Sequence, residues 1–182
     1  MVPRSSTTAA LAALLALPVS PLAANGLITR EEALAANYPG AELEAQRVFL
    51  TDGQVREAAE LSRCELPSAL VARYVARRDG VVVGRAYVDT HVVRTKVESL
   101  LVSLDAEGRL LRVDVTAFLE PPEYRAPEAW LDQYGERLLD DELGLQRGIR
   151  PIAGATLTAL ATTEAVRRVL AIDGVLTTGG AP

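Results

Sequence analysis

The feature that most constrains this chain is a run of alternating hydropathy over 109–119. Leu111, Val113, Val115, Ala117 and Leu119 alternate with Leu110, Arg112, Asp114, Thr116 and Phe118. Successive side chains of a strand point to opposite faces, so the pattern predicts a strand that places the first set in the core. The run before it, 98–105, is also strand-like, and Ala106-Glu107-Gly108 joins the two. Upstream, Asp79-Gly80 is a hairpin signal between strand-like runs at 69–78 and 81–89. These four consecutive antiparallel strands form a meander, and the apolar face of such a sheet needs a cover.

Helical segments flank the meander and can supply that cover. Thr29-Arg30-Glu31-Glu32 has the spacing of a capping box and predicts a short helix to about Ala36, ended by Asn37-Tyr38-Pro39-Gly40. Thr51-Asp52-Gly53-Gln54 opens a second helix through Leu61. After Pro121-Pro122, residues 128–138 read as a helix with Trp130, Leu131, Tyr134 and Leu138 on one side. Residues 139–153 read as irregular. A last helix is expected from about Leu157 to Ala171, with Val166, Val169 and Leu170 as its apolar stripe. Arg167 and Arg168 then fall near its C-terminal end, where positive charge suits the dipole. The expected class is therefore α+β, an antiparallel meander sheet covered by helices.

Composition narrows what such a domain does. The chain has 182 residues and a net charge of −5, with 49% apolar and 24% charged residues. That suits one globular domain. Nucleic acid is not an expected partner, because phosphate contacts need clustered Lys and Arg, and here Lys96 is the single lysine. Cys64 is the single cysteine, which excludes an intramolecular disulfide, a haem attachment motif and a multi-cysteine metal site. Its expected role is a small buried apolar residue.

The N-terminus has the make-up of an export signal. Arg4 precedes the apolar run Ala9–Leu17, and Pro18 and Pro21 break it before Leu22-Ala23-Ala24. The run is short for a membrane span. The expected organisation is a signal peptide at 1–24, an N-terminal helical segment at 25–66, an α+β domain at 67–174 and a flexible tail at 175–182. The expected location is outside the cytoplasm, in the periplasm or on the outer face of the inner membrane.

Chemistry concentrates at Ile152-Ala153-Gly154-Ala155-Thr156-Leu157-Thr158, where a loop meets the last helix. Gly154 permits a tight turn, and Ala155 is small enough for a ligand to approach. Thr156 stands where a hydroxyl can cap the helix, beside the free amides of its first turn. Phosphate placed there gains hydrogen bonds and a dipole contribution of about 0.3–1 kcal/mol. The plainer reading is a turn with an N-cap threonine that holds nothing.

This segment resembles the flavin-attachment motif of the FMN-binding domain family. The family includes the periplasmic flavin subunits of the sodium-pumping NADH:quinone reductase and of the related Rnf complex, and small stand-alone exported proteins. The stretches His91–Thr95, Phe118–Tyr124, Trp130–Tyr134 and the final helix are similar to the stand-alone members. The similarity covers about residues 68–172 and extends more weakly from about 30. The family motif is Asp, two variable residues, Ser or Thr, then Gly-Ala-Thr. Its final Thr carries FMN through a phosphoester made by a flavin transferase, and here that residue is Thr156. The Asp position is Arg150 and the Ser/Thr position is Ala153. Both positions help the transferase recognise its substrate.

The resemblance implies an FMN-binding electron-transfer protein whose partners are membrane-bound or periplasmic redox proteins, and the transferase if the flavin is covalent. A flavin accepts one or two electrons, so the protein itself needs no acid–base pair. The implied cofactor-binding residues are Thr156, Gly154, Ala155, Leu157 and Thr158, with Arg150 pairing with the phosphate in a reversible mode. Arg94 and Thr95 read equally as residues that reach the phosphate or ribityl chain and as solvated or salt-bridged sheet residues, and Tyr134 is a candidate wall of the site. The competing reading is a flavin-free docking module of a membrane-associated redox complex. An enzyme reading, a flavin-dependent reductase acting on a small substrate, ranks third, because it needs an open pocket beside the flavin ring and residues that deliver protons, and the sequence shows no clear candidate. No Walker loop, dinucleotide fingerprint or nucleophile elbow is present.

Other polar residues have plainer readings. His91, the single histidine, is expected to be a satisfied sheet-edge residue, with a flavin or partner contact as the sharper alternative. Trp130 and Tyr134, one helical turn apart, read first as a core pair. Glu120, Glu123 and the run Asp140-Asp141-Glu142 read as solvated charges.

Overall fold

The computed structural model describes Gly26–Thr178. The expected leader and the last residues of the expected tail lie outside the described residues. The elements run α1 (Arg30–Asn37), β1 (Glu42–Phe49), α2 (Asp52–Ser62), β2 (Leu70–Arg78), β3 (Val81–Val92), β4 (Val97–Asp105), β5 (Leu110–Phe118), α3 (Glu128–Leu131) and α4 (Thr156–Thr178). Short 3-10 turns at Pro122–Tyr124 and Asp132–Tyr134 flank α3. All five strands pair antiparallel in the order β1-β2-β3-β4-β5. The α+β meander is as expected, with one strand more.

That extra strand, β1, lies inside the segment expected to be helical. It is an edge strand, mostly solvent-exposed. Phe49 is 74% exposed. Backbone pairing with β2, from Glu42↔Arg77 to Phe49↔Leu70, holds the strand. Ala41, Leu43 and Ala45 alternate with Glu42, Glu44 and Gln46, a strand signal that the helical expectation passed over. Local signals place its neighbours well. In α1 the Thr29 hydroxyl accepts from the Glu32 N–H at 3.2 Å, and the Glu32 carboxylate accepts from the Thr29 N–H at 3.0 Å. Thr51 and Gln54 repeat the box in α2. Asp79 and Gly80 both take positive φ, 51° and 78°, which gives the two-residue hairpin turn its right-handed twist.

Two bulges correct the expected faces of β5. The register slips between Ser103 and Leu104 and again between Ser99 and Leu100. Each slip inserts a residue in β5 and reverses the alternation beyond it. Val113 and Val115 face the main core as expected. At the ends, however, Leu110 is fully buried while Leu111 is 38% exposed, and Phe118 packs on the core while Leu119 is 59% exposed.

Helix α4 covers one face of the sheet, with α2 packed against it. Leu100, Val102 and Leu104 of β4 and Tyr87 of β3 meet Ala159, Val166, Val169 and Leu170 there. Helix α4 has 23 residues and ends at Thr178, well past the expected Ala171. Val175 and Leu176, expected in the tail, are buried. The helix expected over 128–138 is instead α3 followed by a 3-10 turn ending at Tyr134.

The opposite face is covered by α1, which packs Ala33, Leu34 and Tyr38 on Ala76, Ala86 and Leu101. The Tyr38 hydroxyl donates to the Arg85 carbonyl at 2.7 Å and accepts from the Leu104 N–H at 3.0 Å. This close approach requires Gly84. A Cβ there would stand 2.4 Å from Tyr38 Cε1 and 2.5 Å from the Leu104 carbonyl oxygen. Backbone cannot move aside as a flexible side chain can, so Gly84→Ala should destabilise the domain by about 1–3 kcal/mol. Urea unfolding of the variant should show a lower midpoint with an unchanged slope.

Candidate functional site

The interface between the sheet and α4 is unusually polar for a core. On β3, Arg85, Tyr87, Asp89 and His91 all project toward α4. Arg85 and Tyr87 both donate to Asp173, at 2.9 and 2.8 Å. Arg168 donates to Asp89 at 3.0 Å, and Asp89 also bonds His91 Nδ1 at 2.8 Å. His91 Nε2 in turn meets Glu98 at 3.0 Å. Arg168 is therefore a buried mid-helix residue rather than one near the helix C-terminal end. Arg167 reaches the carbonyls of Ser62, Asp140 and Leu143. Glu98 is fully buried, and its Oε1 is the buried side-chain oxygen without a partner among the described residues.

His91 is thus a satisfied histidine, though in a central strand. Burial alone would lower its pKa. The hydrogen bonds to Asp89 and Glu98 override that and push it up to about 9. Burial would raise the Asp89 pKa, but His91 and Arg168 hold it below the ordinary carboxylate range.

The Gly-Ala-Thr segment lies at the start of α4, beyond this network. Gly154 takes φ +79°, a conformation that favours glycine, and nothing lies within 4 Å of where its Cβ would stand. The Ala155 carbonyl accepts the first helical bond, from the Ala159 N–H at 3.1 Å. Ala155, rather than Thr156, is therefore the N-cap, and Thr156 is the first helical residue. Among the described residues no side chain accepts from the first-turn amides of α4. Thr156 is exposed, and its hydroxyl has no partner among the described residues.

These residues form one wall of a cleft of about 320 Å³. The volume falls at the small end of the range for ligand pockets, about 300–1,000 Å³. Gly154, Ala155, Thr156, Leu157 and Thr158 line it from α4. Val93 and Arg94 line it from the turn between β3 and β4, and Glu120 and Tyr124 from the segment after β5. Two polar contacts fix these walls. Thr158 turns its hydroxyl inward and donates to the Tyr124 carbonyl at 2.7 Å. Glu120 Oε1 accepts from the backbone N–H groups of Thr95 and Lys96, at 2.7 and 2.8 Å. Those amides, Thr95 first, hold its carboxyl below the usual carboxylate range. Glu120 is 9% exposed, which corrects its reading as a solvated loop charge.

The other expected residues stand apart from the cleft. Thr95 is in the adjoining turn, with its hydroxyl directed at Glu120 at 3.3 Å. The Arg150 side chain and backbone both donate to Gln133 Oε1, at 3.3 and 3.0 Å. Tyr134 is fully buried and bonds Thr163 at 2.7 Å. It is a core residue, edge-on to Trp130 with ring centroids 5.5 Å apart, rather than a wall of the cleft. The register that pairs Glu98 with Phe118 extends to place Glu120 opposite Lys96, and that register follows two bulges that the sequence does not signal.

A larger cleft, about 460 Å³, runs along the outer edge of β5 between Gly26–Ile28 and Arg125–Leu131. Its size exceeds that of the α4 cleft, but its chemistry is weaker. Arg112 there is already paired with Asp114 at 2.7 Å and with Glu128. Among the described residues no group of three or more His, Cys, Asp or Glu could hold a metal ion, and no helix is long and apolar enough to cross a membrane. No family model matches the chain, and comparisons with curated proteins and solved structures found no match.

The His91 network yields a pH dependence with a defined sign. A histidine whose pKa is raised on folding stabilises the protein fully below its unfolded value, near 6.5, and that contribution fades as pH rises through about 9. Unfolding free energy should fall by on the order of 2–3 kcal/mol between pH 6 and pH 10, measured in urea, and the fall should be much reduced in His91→Gln.

Proposed function

We propose that this protein is an FMN-binding electron-transfer domain that works outside the cytoplasm, with the flavin phosphate at the first turn of α4. One observation carries the reading. The Gly-Ala-Thr residues that resemble a flavin-attachment motif form the rim of an open cleft, with Thr156 exposed, the first-turn amides uncapped and Arg94 on the facing wall. An anion needs such a setting: unpaired N–H donors, a helix dipole and a cation. Gly154 allows the turn, Ala155 leaves room for close approach, and Arg94 can balance phosphate charge. Thr156 can hold the phosphate through a hydrogen bond or, if the transferase accepts this chain, through a phosphoester. When bound, the flavin supplies one- and two-electron transfer; the partners would be membrane-bound or periplasmic redox proteins.

A second reading is a flavin-free docking module that keeps the fold. It is favoured by the motif departures. Ala153 has no hydroxyl, and Arg150 is engaged with Gln133 instead of the cleft. The two readings separate in one experiment. The chain is produced in an exporting host with and without a flavin transferase, then denatured and run on a gel. Flavin fluorescence on the band, present only with the transferase and lost in Thr156→Val, is the expected result for covalent attachment. Native yellow protein that loses its colour on denaturation indicates reversible binding. Colourless protein from both hosts sinks the flavin reading and leaves the docking module.

A further inference from the structure

The α4 cleft contains two opposite side-chain charges, Arg94 and Glu120, and its other lining residues are uncharged. Arg94 is exposed and makes no ion pair with a described residue. Glu120 is held in place by the Thr95 and Lys96 amides, which bind its Oε1. Its second oxygen accepts no hydrogen bond from the described residues. The same amides favour its ionised form. The lining side chains therefore sum to zero charge. The end of α4 adds only about half a positive charge.

Such a cleft fits one anionic charge far better than two. A phosphomonoester carries about −1.5 to −2 at neutral pH. A phosphodiester has lost one ionisable oxygen and carries a single negative charge. We infer that Glu120 is a specificity-determining residue that makes the cleft prefer a phosphodiester monoanion to a phosphomonoester dianion. The inference rests on the flavin reading and refines it. FMN esterified to Thr156 is a diester and suits the cleft, whereas free FMN meets repulsion from Glu120. The isoalloxazine and ribityl groups carry no net charge, so the charge of Glu120 acts on them far less than on the phosphate.

Glu120→Gln isolates the charge, because the amide oxygen of glutamine still accepts from the Thr95 and Lys96 N–H groups. The full chain, produced without a flavin transferase, is titrated at pH 8 with FMN and with riboflavin, which has the same ring and no phosphate. Quenching of flavin fluorescence reports binding. Wild-type protein should bind FMN within about twofold of riboflavin. In E120Q, FMN should tighten by about fivefold or more with riboflavin unchanged. Arg94→Gln should shift the FMN-to-riboflavin ratio the opposite way. An unchanged or lower ratio in E120Q overturns the inference and leaves the flavin reading standing. Failure of both flavins to bind wild type and E120Q also overturns the inference, whereas the flavin reading falls only if the chain stays colourless when produced with the transferase.

Discussion

The contact between β3 and α4 through buried charge is the constraint on which the rest of this domain depends. Two arginines and two aspartates are withdrawn from water here, Arg85 with Asp173 and Arg168 with Asp89. Burying charge is unfavourable unless each ion finds its partner in good geometry, and leaving one unmatched is strongly destabilising. The pairs therefore act as an index. A helix held only by Val166, Val169 and Leu170 could slide along the sheet at modest cost. A slide of one turn, about 5.4 Å, would separate both ion pairs together. The first turn of α4 is thus located by residues three and more turns away from it. The cleft inherits its shape from this registration, and Thr158 and Glu120 complete it locally.

The meander was legible because its signals are local. Asp79-Gly80 declares a hairpin by its own φ requirement, and the two capping boxes declare helix starts within four residues each. What could not be read depends on partners distant in the chain. Strand β1 is exposed and held by backbone pairing, and its alternation is clear only over Ala41–Gln46 before Arg47-Val48-Phe49 breaks it. The bulges in β5 come from its match to β4, and an uninterrupted alternation cannot reveal them. Arg168 and Asp173 look like ordinary solvated helix residues until β3 is placed beneath them.

The same division holds at the cleft. Gly154, Ala155 and Thr156 stand out from their order alone, since a positive φ, a small side chain and a hydroxyl follow one another at a helix start. Thr158 was expected to face a ligand, but its hydroxyl serves the Tyr124 carbonyl. Tyr134 was expected to wall the cleft, but it is buried in the core with its hydroxyl bonded to the Thr163 hydroxyl of α4. Glu120 had the appearance of a loop charge beside two prolines, and only the strand register shows what it clamps.

The connectivity of the meander has a kinetic consequence. Each strand pairs with the next in the chain, so the sheet can grow hairpin by hairpin from nearby contacts, the kind that form quickly. The cleft is different. Its walls come from the β3–β4 turn, from the segment after β5 and from the start of α4, stretches up to 65 positions apart between Val93 and Thr158. It exists only once the last helix has docked. A ligand of this cleft would recognise the completed domain and not the emerging chain, and by mass action would hold that final docking step closed.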